Sequence, residues 1–360
     1  MELYRRSNQS PPSVEKDFLI YDATKNEHSP ENLDKILSMS ANLNIPVLVQ
    51  NFSSIHGAMG SIPETSTIDM FLAYQASRCR PNPSCQIQGE VENQNQTYDF
   101  LLQHFSTSPE SRESDINLLD LPIESDLRLI EGFNSPAFIT KRDLIDFATK
   151  RPDAHKLRDG LKVPSIRRWM LVSGHRCVSG FHRDMLGLWT AVEVQEGEKL
   201  WAWAEQCEEN VSVRAEYGAY DSVSRFTKIF ALTLRAGDLF IMPPGVIHSV
   251  VTKGDSLAAG IHFLLPETLD RSIVLAKGDV KDDTLTNDVR KGRDFYAALI
   301  SVSLLQHRKR LIINQNIPTI IKCYPSEEAV AGVKRFLLEC QKGTVWKFSL
   351  KDLQEASSSL

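Results

Sequence analysis

The sequence predicts a mainly β protein with flanking helices, its core a sandwich or barrel, and three observations carry that reading. Between Trp169 and Leu265, short apolar, β-branched and aromatic runs alternate with turns bearing Gly, Pro and Asp. The runs follow one another closely, without the roughly 10–15-residue helical patterns that separate the strands of a parallel βαβ sheet. Outside this region the patterning changes, being polar and irregular before it and helical in period after it.

Taken in order, the first 40 or so residues are polar, with a helix predicted over Pro30–Met39 and Ser29 as its N-cap. Ile45–Phe52 reads as a short buried strand. Arg80–Gln96, rich in Pro, Asn, Gln and Ser, reads as an exposed loop. Ile116–Pro122 opens a better ordered region, and a short helix is expected over Thr140–Thr149. Strands follow at Arg168–Val172, Trp189–Val194, Lys199–Trp203, Phe230–Leu234, Leu239–Met242, His248–Val251 and Leu257–Leu264. Glu196-Gly197-Glu198, Arg235–Asp238, Pro243-Pro244-Gly245 and Lys253–Asp255 supply turns between them. The polar stretch Glu205–Arg225 interrupts the set, either as a lid over a site or as a solvated loop. Phe295, Leu299, Val302 and Leu305 fall at helical spacing, and Ala329–Cys340 forms a second amphipathic run. The chain thus divides into an N-terminal α/β surround (1–115), a β core (116–275) and a helical C-terminal region (276–360).

Composition narrows the function classes. The chain is 42% hydrophobic and 24% charged, as in ordinary globular proteins. A net charge of −5 gives no global basic field for nucleic acid, so nucleic-acid binding is not indicated. The basic runs Arg290–Arg293 and His307–Arg310 read as solvated helix ends. The start Met1-Glu2-Leu3-Tyr4 leads into polar sequence with no apolar signal-like run, and no stretch has the roughly 18 apolar residues of a membrane span. The six cysteines are scattered, without a second close pair to complete a zinc site. Reduced thiols and an intracellular location, nucleus or cytoplasm, are the expectation.

The chemistry is concentrated at Phe181-His182-Arg183-Asp184. Residues two apart on a strand share a face, so one strand can present imidazole and carboxylate to one point. His248, opening a late strand after Pro243-Pro244-Gly245, fits as a third ligand from a distant strand. Two histidines and one carboxylate on one face of an octahedral ion leave three positions open, the arrangement of non-haem Fe(II) oxygenases. If the co-substrate is 2-oxoglutarate, two of those positions take its 2-oxo acid end and one is left for O₂. Its distal carboxylate then needs a buried cation and a hydroxyl.

Residues 169–265 resemble the JmjC domain, a branch of the cupin-type 2-oxoglutarate oxygenases. His182 and Asp184 match the family's His-x-Asp, Gly197–Trp201 resembles the segment whose lysine binds 2-oxoglutarate, and Leu234–His248 resembles the run into the distal histidine. Ile45–Phe52 and Ile116–Pro122 look like the weaker strands that precede such cores. The resemblance implies a double-stranded β-helix (jelly-roll, cupin-like) core with an α/β N-terminal surround and a helical C-terminal cap. It implies Fe(II) held by His182, Asp184 and His248, and Lys199 as the cation for 2-oxoglutarate. Ser179 sits where many members carry a threonine that bonds the same carboxylate.

Two departures from the family stand out. Where several members have an aromatic residue touching the co-substrate, this chain has Thr190 and Val192, which makes Thr190 the candidate contact. Where many have Gly-Asn, it has Gly260-Ile261-His262, and His262 is a candidate to face the metal pocket. Trp189, Trp201 and Trp203 read as core or pocket wall.

The resemblance implies an oxygenase of a protein or peptide side chain, with a small-molecule substrate also open; a small core with no zinc-finger reader in the sequence makes hydroxylation the expectation. A lysine demethylase of the same family is the alternative. A cupin-like metalloenzyme without 2-oxoglutarate, or a silent binding scaffold, are readings of another class. The C-terminal helices from about Asn287 to Cys340 could support a homodimer, as similar helices do in some relatives.

Overall fold

The computed structural model describes residues 18–24, 30–52, 67–77, 81–88, 93–122, 137–140, 142–145, 168–281 and 286. The predicted cap Ser29, the basic runs and the C-terminal helices with their dimer surface lie outside the described residues.

In chain order the elements are β1 (Leu19–Asp22), α1 (Pro30–Leu43), β2 (Val47–Gln50), α2 (Ile68–Ser77), β3 (Ser84–Ile87), β4 (Gln94–Asn95), α3 (Tyr98–Ser106) and β5 (Ile116–Pro122). A single-turn α4 (Ala137–Thr140) precedes β6 (Arg168–Ser173), β7 (Val178–His182), β8 (Trp189–Glu196) and β9 (Glu198–Ala204). Then come α5 (Glu208–Asp221), β10 (Ile229–Arg235), β11 (Leu239–Met242), β12 (His248–Thr252), β13 (Ser256–Phe263) and α6 (Leu269–Lys281).

Strands β6 to β13 form two facing layers, ordered β11-β8-β13-β6 and β10-β9-β12-β7. Every neighbouring pair within these layers is antiparallel, and the architecture is a double-stranded β-helix. β2 and β1 extend one edge of the larger layer, and β5, β3 and β4 extend the other. Between the layers, alternate side chains interdigitate: Trp169, Val192 and Val194 meet Trp201, Trp203, Phe230 and Val250. On the outer face of the larger layer, Leu33 and Leu37 of α1 cover Val47, Trp189, Ile241 and Phe263. Trp189 is fully buried there, and its indole N–H donates to Thr268 Oγ1 at 2.7 Å. α2 and α3 cover the other end of that face, over Ile116, Leu118, Met170 and Val172.

Two segments differ from expectation, and a third is described only in part. Arg80–Gln96 is not simply a loop, because it holds β3 and β4, with Gln86 paired to Asn117 of β5. Polar composition hides the strand, but the alternation is present: Cys85 is buried in the core while Gln86 lines the central cavity. Glu205–Arg225 is mostly the helix α5, not a loop. Its inward groups include Asn210 and Arg214, seated by hydrogen bonds and not by an apolar stripe, so the hydrophobic period is weak. Asn210 Nδ2 donates to Glu205 O at 2.8 Å, its Oδ1 accepts from Thr227 N at 2.9 Å, and the Arg214 guanidinium donates to Phe181 O. Of the helix expected over Thr140–Thr149, the described residues show a break at Arg142 and Asp143 between the turn ending at Thr140 and helical Leu144 and Ile145, where Asp143 Oδ1 accepts from Ile145 N at 3.0 Å. The rest of that segment lies outside the described residues.

Candidate metal centre and cavity

The site lies between the two layers, and strand pairing puts it there. On β7 and β12, His182 pairs with His248 and Ser179 with Val250, with a bulge between the two pairs. Directly paired residues project to the same side. Ser179 and His182 are three apart and would face opposite ways on a regular strand; the bulge turns both inward. β7 ends at His182, but the chain stays extended through Asp184 (φ −66°, ψ 145°), so the two-residue period holds. Arg183 between them points away, its guanidinium paired with Asp279 on α6.

One ligand atom from each of His182, Asp184 and His248 lies within 4.8 Å of the others. His248 Nε2 stands 4.0 Å from Asp184 Oδ1, and the two imidazole centroids are 4.4 Å apart. His182 Nδ1 bonds Gly180 O at 2.7 Å, and His248 Nδ1 bonds Val246 O at 3.2 Å. A carbonyl oxygen only accepts, so each Nδ1 carries the proton and each Nε2 presents a lone pair. Trp201 stacks on the His248 ring at 5.3 Å and 13°. Burial, and then His248 nearby, push the His182 pKa down to about 4, so it is neutral at physiological pH. Burial alone would raise Asp184, but His248, His262, His182 and the Thr190 hydroxyl outweigh it and hold the carboxyl below its ordinary value. An ionised carboxylate with two deprotonated imidazole nitrogens is a donor set fit for a divalent transition metal.

At the other end of the cavity lies Lys199, 1% exposed. Its Nζ donates to Ser173 Oγ at 3.0 Å and Thr252 Oγ1 at 3.2 Å, and Ser173 Oγ donates to Asn117 Oδ1 at 2.7 Å. Among the described residues no carboxylate pairs with this ammonium, and burial pushes its pKa down to about 8. The cavity joining the two ends has a volume of about 260 Å³. Ser179, Trp169, Val192, Trp201, Val250 and Tyr220 are among its walls.

The structure therefore gathers His182, Asp184, His248, Lys199, Ser179 and Thr190 around one cavity. The hydroxyls bonded to Lys199 are those of Ser173 and Thr252, which the sequence reading did not single out. Thr252 was within reach, since it lies four residues after His248 on one strand and so on the same face. Ser173 carried no local signal. Thr190 lines the cavity, but its hydroxyl bonds Asp184 Oδ2 and His262 Nδ1. His262 does face the cavity.

Residues 184–270 match the family model described as the JmjC domain. The chain is 24% identical over 186 residues to a JmjC domain-containing histone demethylation protein 1 of Saccharomyces cerevisiae, covering 48% of this chain and 37% of that protein. It is 22% identical over 267 residues to the protein of the same name from Candida albicans, covering 69% and 54%. Against lysine-specific demethylase 2A of Xenopus tropicalis it is 23% identical over 173 residues, covering 45% and 15%. The chain thus spans about half or less of these relatives' lengths. Fold, cavity and comparisons agree: this chain carries a JmjC domain, homologous to that of JmjC histone demethylation proteins.

Proposed function

We propose that this chain is an Fe(II)- and 2-oxoglutarate-dependent oxygenase acting on a protein side chain. The observation that carries the reading is the cavity with a fixed buried cation at one end and three convergent metal-ligand atoms at the other. A buried ammonium held only by neutral hydroxyls is stabilised by an incoming carboxylate, and a dicarboxylate with a chelating end fits that polarity.

In this reading His182 Nε2, Asp184 Oδ1 and His248 Nε2 hold Fe(II). Bound there, the metal would supply O₂ activation coupled to conversion of 2-oxoglutarate into succinate and CO₂. Lys199 holds the distal carboxylate, and Ser173 and Thr252 fix the ammonium that does so. Ser179, on the same inner face, is the further hydroxyl for that carboxylate. Trp201, Val192 and Val250 keep bulk water from the cavity. The catalytic unit is the core 116–275, flanked by the surround 1–115 and the C-terminal region 276–360.

Sequence alone favours a side-chain carbon that stays hydroxylated. The relatives' names move the preferred substrate to an N-methylated lysine, where hydroxylation of the methyl carbon gives a hemiaminal that releases formaldehyde and the amine. A histone substrate would place the chain in the nucleus. The test needs no guessed substrate: purified protein with Fe(II), ascorbate, 2-oxoglutarate and O₂ is expected to form succinate slowly, and Asp184→Ala to form none. Equal succinate from both proteins would sink the oxygenase reading. Formaldehyde released from methyl-lysine peptides then separates demethylation from stable hydroxylation, which would appear as a 16 Da gain.

A further inference from the structure

We infer that Thr190 and His262 act together as a positioning pair that keeps Asp184 a one-oxygen ligand, an inference that rests on the metal-site reading above. The two places where this chain departs from its family are direct partners in the β8–β13 ladder, His262 opposite Thr190. Their side chains project to the same side and meet, with Thr190 Oγ1 3.0 Å from His262 Nδ1.

The direction of each bond follows from counting protons. A threonine hydroxyl has one hydrogen, and an ionised carboxylate can only accept. The Thr190 hydroxyl therefore donates to Asp184 Oδ2 and accepts from His262, whose Nδ1 must carry the proton. Donors run in one direction, from imidazole to hydroxyl to carboxylate, and each bond polarises the next. Packing fixes the start of the chain. His262 is 6% exposed and lies 5.5 Å from the Trp169 ring, and Trp169 sits over Gly260 so closely that a Cβ there would fall 2.0 Å from the indole.

The Thr190 bond turns Oδ2 towards the hydroxyl and weakens it as a donor, leaving Oδ1, which stands 4.0 Å from His248 Nε2, as the oxygen presented to the metal point. A carboxylate bound through both oxygens would take a fourth position on a six-coordinate ion, leaving two instead of the three a chelating co-substrate and O₂ require. The pair thus protects the open positions.

The test uses Co(II) binding to the purified full chain, followed by visible absorption and titration, with no turnover required. Thr190→Val is expected to weaken Co(II) binding roughly tenfold and to change the d–d bands, as loss of a partner outside the ligand shell does. Thr190→Ser, keeping the hydroxyl, is expected to preserve both. His262→Leu should weaken binding, and His262→Asn, which offers an amide N–H near the Nδ1 position, should restore it. The Thr190→Val/His262→Leu double variant should be no weaker than Thr190→Val alone. Parental affinity and bands in Thr190→Val, or additive losses in the double variant, would overturn the pair. A parent protein that binds no Co(II) would instead overturn the metal site itself, a failure visible before any variant is made.

Discussion

Lys199 shows how much a single buried residue can decide. Burial disfavours its charged form, and two hydroxyls compensate only in part. Charge-assisted hydrogen bonds contribute about 1.5–3 kcal/mol. Lys199→Met, which keeps the stem and removes the charge, is therefore expected to weaken 2-oxoglutarate binding roughly 10- to 100-fold while leaving Co(II) affinity near parental. Calorimetry on the metal-loaded protein checks both. The pH dependence has a definite sign. With a pKa of about 8 in the free protein, Lys199 is protonated below that value, so affinity should be flat up to about pH 8. Above it the free protein must take up a proton to bind the carboxylate, and affinity should fall about tenfold per pH unit until the bound lysine titrates. Affinity that is level from pH 7 to 9.5 would remove Lys199 from the contact. His182 and Asp184 stood out in the sequence because two residues apart on a strand share a face, while Lys199 was named only by the resemblance of Gly197–Trp201 to the family's lysine segment. Ser173 could not be read, because a serine reaching across from another strand leaves no local pattern.

At the scale of elements, the β8–β9 hairpin sets where that lysine falls. Gly197 turns it at φ 80°, and a Cβ there would lie 2.1 Å from Asp255 O on the neighbouring turn. Both the left-handed conformation and the close approach require glycine. The register that follows puts Lys199 opposite Thr252 and Trp203 opposite His248. Gly197→Ala is expected to lower stability by at least about 2 kcal/mol, read as a lower urea midpoint, and to weaken 2-oxoglutarate binding because the Lys199–Thr252 pairing shifts with the turn. Unchanged values for both would mean the turn tolerates the side chain. This hairpin was legible because its Glu-Gly-Glu turn is bounded by apolar runs on both sides. α5 was not, since the groups it turns inward include Asn210 and Arg214, and polar seating leaves no apolar stripe to read. β3 was masked in the same way by Pro, Asn and Gln.

Across the whole molecule, the segment carrying the candidate metal ligands is tied to the helix that closes the core. Arg183, between the two expected ligands, pairs with Asp279 of α6, and both side chains are buried. Its Nε donates to Asp279 Oδ1 at 3.0 Å. Asp279→Ala would leave a buried guanidinium without its counter-charge, and the expected loss is about 3–5 kcal/mol of unfolding free energy. Denaturant titration checks this, and a loss below about 1 kcal/mol would show that water reaches Arg183. From the sequence alone, this protein's β core, most of its core strands and a candidate metal-ligand set could be read. Strand and turn residues act locally, and the strand period alone places His182 and Asp184 on one face. Only the tertiary structure decided which hydroxyls hold Lys199, that a bulge turns Ser179 and His182 to one face, and that Thr190 and His262 join over Asp184. Each of these depends on the register between strands far apart in sequence, which packing of the whole core selects and no single stretch encodes.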